Sequence, residues 1–107
     1  MSDNGVRKIF ISQPMNGRTN DEIEKERESL IEKAKKHFIG DKVEILDSFF
    51  KDFNGNSLAF LGKSITLLSE ADIALFGFGW QDARGCKIEH ECCVKYGIPV
   101  IAFDGED

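Results

Sequence analysis

Apolar and polar positions alternate with two different periods along the 107-residue chain. Short runs centred on β-branched and aromatic residues predict strands, and longer stretches with apolar residues three and four apart predict helices. Arg7 to Ser12 (RKIFIS) reads as the first strand. Gln13-Pro14-Met15-Asn16-Gly17 breaks it, because Pro14 has no N–H and Asn16-Gly17 is turn chemistry. Thr19 stands three residues before Glu22, the spacing of a capping box. The helix it opens carries Ile23, Leu30, Ile31, Ala34 and Phe38 on one face, with Gly40 placed to end it. Val43 to Leu46 predicts a second strand. Ser57 is placed to cap a second helix, whose apolar stripe is Leu58, Leu61, Ile65 and Leu68. Asp72 to Phe76 is apolar enough for a strand buried on both faces. A third helix runs from about Cys86 to Tyr96, Gly97 closes it, and Ile98 to Phe103 is the last strand.

Strands that alternate with helices, with no repeat and no linker, imply one domain over residues 1–107. Right-handed crossovers then make a parallel four-stranded sheet with helices on both faces. The expected architecture is a flavodoxin-like three-layer α/β sandwich with strand order 2-1-3-4. Such sheets bind ligands beyond the carboxyl ends of their strands, where the strand order reverses. That rule nominates Ser12 to Arg18, Asp47 to Asn56 and Gly77 to Glu89. The candidate ligand-binding residues are Ser12, Gln13, Pro14, Met15 and Asn16 in the first segment, and Asp47, Ser48 and Phe49 in the second. Gly79, Trp80, Arg84 and Gly85 are the candidates in the third. Phe49, Phe50 and Phe53 are more apolar area than a free loop exposes, so this loop is expected to cover the site or a neighbouring subunit.

The third helix carries the sharpest chemical signal. Helical spacing puts Gly85, Ile88, Glu89, Cys92, Cys93 and Tyr96 on its buried stripe and leaves Lys87, His90, Glu91 and Lys95 to solvent. Glu89 is therefore a carboxylate on an apolar stripe near the ligand end. Burial raises such a pKa, whereas a helix N-terminus or a nearby Arg84 lowers it. A carboxylate between those influences suits a nucleophile or an acid/base group; the plainer alternative is a first-turn Glu satisfied by backbone amides. The connector Gly77 to Gly85 lacks the endings of a Walker motif and of a GxGxxG fingerprint. Arg27, between Ile23 and Leu30, is either a buried stem or a cation aimed at the site, and the stem is the commoner arrangement.

Composition narrows the partners. Hydrophobic residues make up 41% and charged residues 31%, the balance of a folded globular domain. The net charge of -5 argues against polymeric nucleic acid but leaves room for a single nucleotide, for which Arg18, Arg27 and Arg84 are the available cations. No apolar run approaches the roughly 20 residues of a membrane span, so no membrane association and a cytoplasmic location are expected. Cys86, Cys92 and Cys93 lie close together with only His90 nearby, so they read as reduced thiols used as small hydrophobes. No metal site and no cofactor is expected.

KIFISQPMNG near the start, LSEADIALF in the middle and GWQDARGCKIEHECCVKYG near the end resemble the nucleoside 2-deoxyribosyltransferase-like superfamily, and within it small domains of the DUF4406 type. The resemblance runs nearly end to end. Its most specific part is Gly85 followed four residues later by Glu89. In enzymes of that superfamily this Glu attacks the anomeric carbon and releases the base, so the resemblance implies that Glu89 is the nucleophile. It also implies a nucleoside or nucleotide ligand, glycosyl transfer or hydrolysis, and a homodimer or larger homo-oligomer. Three positions depart from the pattern: Phe10 where a Tyr is common, Ser64 where an Asp holds the ligand, and Ala83 where a polar residue stands. The corresponding alternative is a non-catalytic nucleotide binder, for example a phage protein that sequesters an ADP-ribose-type or cyclic signalling nucleotide.

Overall fold

The computed structural model describes residues 6–50 and 53–103. Strand β1 (Val6–Ser12) leads to helix α1 (Asn20–His37), β2 (Lys42–Ile45), α2 (Ser57–Leu68) and β3 (Ile73–Phe76). A single 3₁₀ turn (Trp80–Asp82) then precedes α3 (Arg84–Tyr96) and β4 (Val100–Ala102). The sheet is parallel throughout, in the order β2-β1-β3-β4. It is the expected flavodoxin-like α/β arrangement. β1 lies at its centre, with Ile9 opposite both Ile45 and Ile73 and Ser12 opposite Phe76.

The period-two pattern of the central strands separates two cores. Ile9 and Ile11 of β1 and Ile73 and Leu75 of β3 meet Leu30 and Ala34 of α1. Phe10, Ala74 and Phe76 point the other way, toward Leu68 of α2 and Cys86 and Cys93 of α3. Helix α1 thus covers one face and α2 with α3 the other, which makes three layers. β3 (Ile73–Phe76) is apolar and buried at every position because both of its faces are covered.

Local chemistry sets the ends of these elements. The Thr19 hydroxyl accepts from the Glu22 N–H and the Glu22 carboxylate accepts from the Thr19 N–H, completing the capping box. Gly97 caps α3 at φ +76°, in the left-handed region where glycine carries no steric cost. At the amino end of β3 the Asp72 carboxylate accepts the Lys8 N–H at 2.8 Å, a bond that holds its pKa below the ordinary value.

Several expectations need correction. α2 is capped by the Asn56 side chain, which accepts from the Ala59 N–H, and not by Ser57. Leu58, expected in the buried stripe of α2, is 77% exposed, and Ser64 is buried in that face. α3 begins two residues earlier than predicted, and its buried face is narrower: Cys86, Glu89 and Cys93. Tyr96 is 82% exposed and Ile88 37% exposed, because only one edge of α3 packs on the sheet and α2. No helix among the described residues is long and apolar enough to cross a membrane.

Phe10 is fully buried at the centre of the second core, and Thr19 is exposed at a helix end. Phe10→Ala is expected to cost about 3–5 kcal/mol of unfolding free energy, and Thr19→Ala about 1 kcal/mol. Urea unfolding midpoints at an unchanged m-value measure both. Equal losses would contradict the placement of Phe10 in the core.

Candidate functional site

Three elements converge on Glu89. It sits on the inner edge of α3 and is 6% exposed. Ser12, the last residue of β1, follows the same face of the sheet as Phe10, and its hydroxyl donates to Glu89 Oε1 at 2.6 Å. Ser64 faces α3 from the middle of α2, and its hydroxyl donates to Glu89 Oε2 at 2.6 Å. The carboxylate is therefore gripped at both oxygens. Each oxygen has two acceptor positions, and each serine uses one of them.

Burial pushes the Glu89 pKa above its ordinary value, and the two serine hydrogen bonds oppose that rise. Cys86 lies one turn before Glu89, and burial raises its thiol to about 11. The nearby Ser12 hydroxyl lowers that value and the Glu89 charge adds to it. Cys93 is likewise raised to about 11, by burial first and then by Cys92 and Glu89. These thiols remain protonated and behave as apolar packing, as their spacing predicts. Among the described residues, no group of three or more His, Cys, Asp or Glu side chains could hold a metal ion.

The three nominated segments do not contribute alike. In the first, Ser12, Gln13 and Pro14 are buried, Met15 is half-buried, and Asn16 is exposed beside Gly17 at φ +79°. The Gln13 amide turns inward: its NH₂ donates to the Ile23 carbonyl and to Glu26, and its oxygen accepts from Arg27. Arg18 is bound to the same Glu26 carboxylate. In the second segment the Ser48 hydroxyl is also used internally, donating to the Ile11 carbonyl at 2.7 Å and accepting from Arg27 at 3.1 Å. Asp47 and Phe49 remain at the rim, with the Asp47 carboxylate accepting the Phe49 N–H. Phe50 and Phe53 pack edge-on against Phe60 of α2. These two rings therefore pack on α2, within the same chain.

Arg27 departs from the stem expectation. Its guanidinium is itself buried, and it donates to the Leu46 carbonyl at 2.9 Å as well as to Ser48 and Gln13. Burial pulls its pKa down, and the Asp47 carboxylate pushes it back up. This guanidinium ties the carboxyl ends of β1 and β2 to α1.

In the third segment Gly79, at φ +85°, brings the connector against Pro14, and a Cβ there would stand 3.7 Å from Pro14 Cγ. Trp80 packs on Phe76 and stacks on His90, with ring centroids 4.3 Å apart and planes 19° apart. His90 is half-buried in that stack, not solvent-facing as helical spacing predicts. Arg84 is exposed at the start of α3 and makes no ion pair with Glu89. Gly85 faces Leu61, which would stand 3.8 Å from a Cβ at that position.

Two participants escape the motif reading: Ser64 and the head group of Arg27. Ser64 was legible as the one polar residue spaced three from Leu61 and four from Leu68. His90 had no such signal, because a loop residue, Trp80, covers it.

No protein-family model matches the chain, and no curated protein matches it in sequence.

A raised carboxyl pKa in the folded state contributes stability that is complete below the unfolded value and is lost as pH rises through the folded value. For Glu89 the unfolded value is the ordinary 4.5 and the folded value lies above it. Glu89→Gln removes this titration. The unfolding free energy of wild type minus that of Glu89→Gln should therefore fall as pH rises above the ordinary value of 4.5. Urea midpoints of both proteins across that range measure it, and a difference that grows with pH would contradict burial as the dominant influence.

Proposed function

We propose that the chain acts on the N-glycosidic bond of a nucleoside or nucleotide, with Glu89 as the nucleophile and the carboxyl end of the sheet as the binding site. The observation that carries this reading is the Ser12–Glu89–Ser64 arrangement: a single buried carboxylate, fixed by two hydroxyls, at the end of the central strand. The sequence resemblance, of which the Gly85-to-Glu89 spacing is the most specific part, also supports it.

In this mechanism a Glu89 oxygen attacks the anomeric carbon through its remaining lone pair. The carbon–nitrogen bond breaks, and the base leaves with the electron pair and takes up a proton from solvent water. The resulting glycosyl ester is resolved by water or by a second base, as in retaining glycosidases. Desolvation makes the anion costly before attack, and the ester that forms is neutral, so burial favours the covalent step. Ser12 and Ser64 stabilise the carboxylate and fix its orientation. In this reading the base stacks at the exposed part of the half-buried Trp80, and Asn16, Asp47 and Phe49 are the residues offered to the ligand at the ends of β1 and β2.

A second reading has its own observation. Ser64, at the position where the resemblance implies a ligand-holding Asp, spends its hydroxyl on Glu89, and Phe10 brings no hydroxyl at all. These features favour a binder that recognises the nucleotide without cleaving it.

Incubation with deoxynucleosides, nucleoside monophosphates and NAD-related nucleotides separates the two. Catalysis predicts free base from at least one of them. Glu89→Gln should then lower the rate by about a thousandfold or more. Ser64→Ala should lower it roughly tenfold, the loss of one hydrogen bond to a charged group. Pure binding predicts unchanged ligand after denaturation, with stabilisation of about 2.7 kcal/mol at 100 times the dissociation constant. If no base appears and no ligand raises the melting temperature, both readings fail.

A further inference from the structure

Ser12 and Ser64 grip the same carboxylate, but the fold gives them different settings. Ser64 sits in the middle of α2, with helix on both sides of it. Ser12 is the last residue of β1, at the carboxyl end of the sheet, where strand gives way to loop. Its hydroxyl donates to Glu89 Oε1 at 2.6 Å, within reach of a base that takes up a proton. Glu89 is held in turn through Oε2 by the Ser64 hydroxyl, also at 2.6 Å. A hydroxyl, a carboxylate on its proton and a third group orienting that carboxylate make the arrangement of an activated serine nucleophile. Burial adds to it, because the desolvated Glu89 carboxylate is the stronger base. The first turn of α3 has no side-chain cap. Cys86, in that turn, has its thiol beside the Ser12 hydroxyl. The Gly85 and Cys86 N–H groups have no partner within the helix, and such donors stabilise an oxyanion formed next to them.

We propose that Ser12 is an acyl-accepting nucleophile for esters of short carboxylic acids, with Glu89 as its general base and Ser64 as the residue that positions the base. Ser12 is 2% exposed, so a short acyl group is the one that reaches it. The Ser12 oxygen attacks the ester carbonyl while Glu89 Oε1 takes the hydroxyl proton. The tetrahedral intermediate then breaks its bond to the alcohol oxygen. The alcohol leaves with the proton from Glu89, and Ser12 is left acylated. Water attacks the acyl-serine, again giving its proton to Glu89. The carboxylic acid departs and Ser12 regains its hydrogen, which closes the cycle. Glycosyl transfer uses the cluster in a different order, with Glu89 itself attacking, so the proposal does not rest on the nucleoside reading.

Incubation of the full chain with para-nitrophenyl acetate, followed by acid quenching, tests it. Wild type should release nitrophenolate and carry one acetyl group on the proteolytic fragment that contains Ser12. Ser12→Ala should lose that adduct. Glu89→Gln should slow acylation by about 100-fold or more, and Ser64→Ala by roughly tenfold. Ser12→Cys puts a stronger nucleophile in the same place and should restore the adduct as a thioester that neutral hydroxylamine cleaves. Circular dichroism checks that each variant is folded. Acetyl found only on lysines or on Cys92 would overturn the proposal, as would a Glu89→Gln acylation rate equal to that of wild type. Base release from nucleosides needs no Ser12 nucleophile and should persist in Ser12→Ala, so the two readings fail separately.

Discussion

A carboxylate taken out of water must be compensated, and the arrangement around Glu89 shows how little compensation this fold provides. Among the described residues, two serine hydroxyls at 2.6 Å hold it and no cation does. A paired arginine would have made the group an inert structural anion. Hydroxyls orient the carboxylate while leaving its charge expensive, and that is the condition in which bond formation at oxygen relieves a cost. The grip depends on three elements meeting at one point: the end of β1, the middle of α2 and the first half of α3. The parallel order β2-β1-β3-β4 brings them together, because α2 and α3 cross on the same face of the sheet.

The other face shows the contrasting solution. The buried Arg27 guanidinium is satisfied by neutral oxygens of Leu46, Ser48 and Gln13, with Asp47 acting at longer range. It knits the ends of β1 and β2 to α1 and keeps the loops beside the site in register. One face of the sheet thus buries a guanidinium, and the other buries the Glu89 carboxylate. Trp80 and His90 stack, which adds ring contact to the backbone hydrogen bonds that hold the connector, among them the Gly77 N–H donating to the Ser12 carbonyl at 2.9 Å.

Periodicity made the fold legible. The strands alternate cleanly between Ile9 and Ile11 on one side and Phe10 and Ser12 on the other, so strand order and layering followed from crossover handedness. Glu89 was legible as well, as a charge on an apolar stripe. The failures share a physical cause: helical spacing says which residues share a face but not how wide the packed part of that face is. Tyr96 and Leu58 fall on the predicted stripes but lie beyond the edges of the sheet. Gln13 and Ser48 were nominated for position alone, and their polar atoms are used by Arg27 and backbone carbonyls. That outcome depends on a tertiary contact between α1 and β2, which no local pattern encodes. Ser64 stands where the resemblance implies a ligand-holding Asp, and in the fold it is the second hydroxyl on the carboxylate.

The central claim is that Glu89 forms a bond to the sugar. The most direct measurement is the intact mass of the protein after acid quenching during incubation with nucleosides bearing fluorine at the 2-position of the sugar, which slows release of a glycosyl ester. Added mass equal to one glycosyl group is expected, located on the proteolytic fragment that contains Glu89 and absent in Glu89→Gln. Base release with an unmodified Glu89 fragment, or the same adduct in Glu89→Gln, would contradict it.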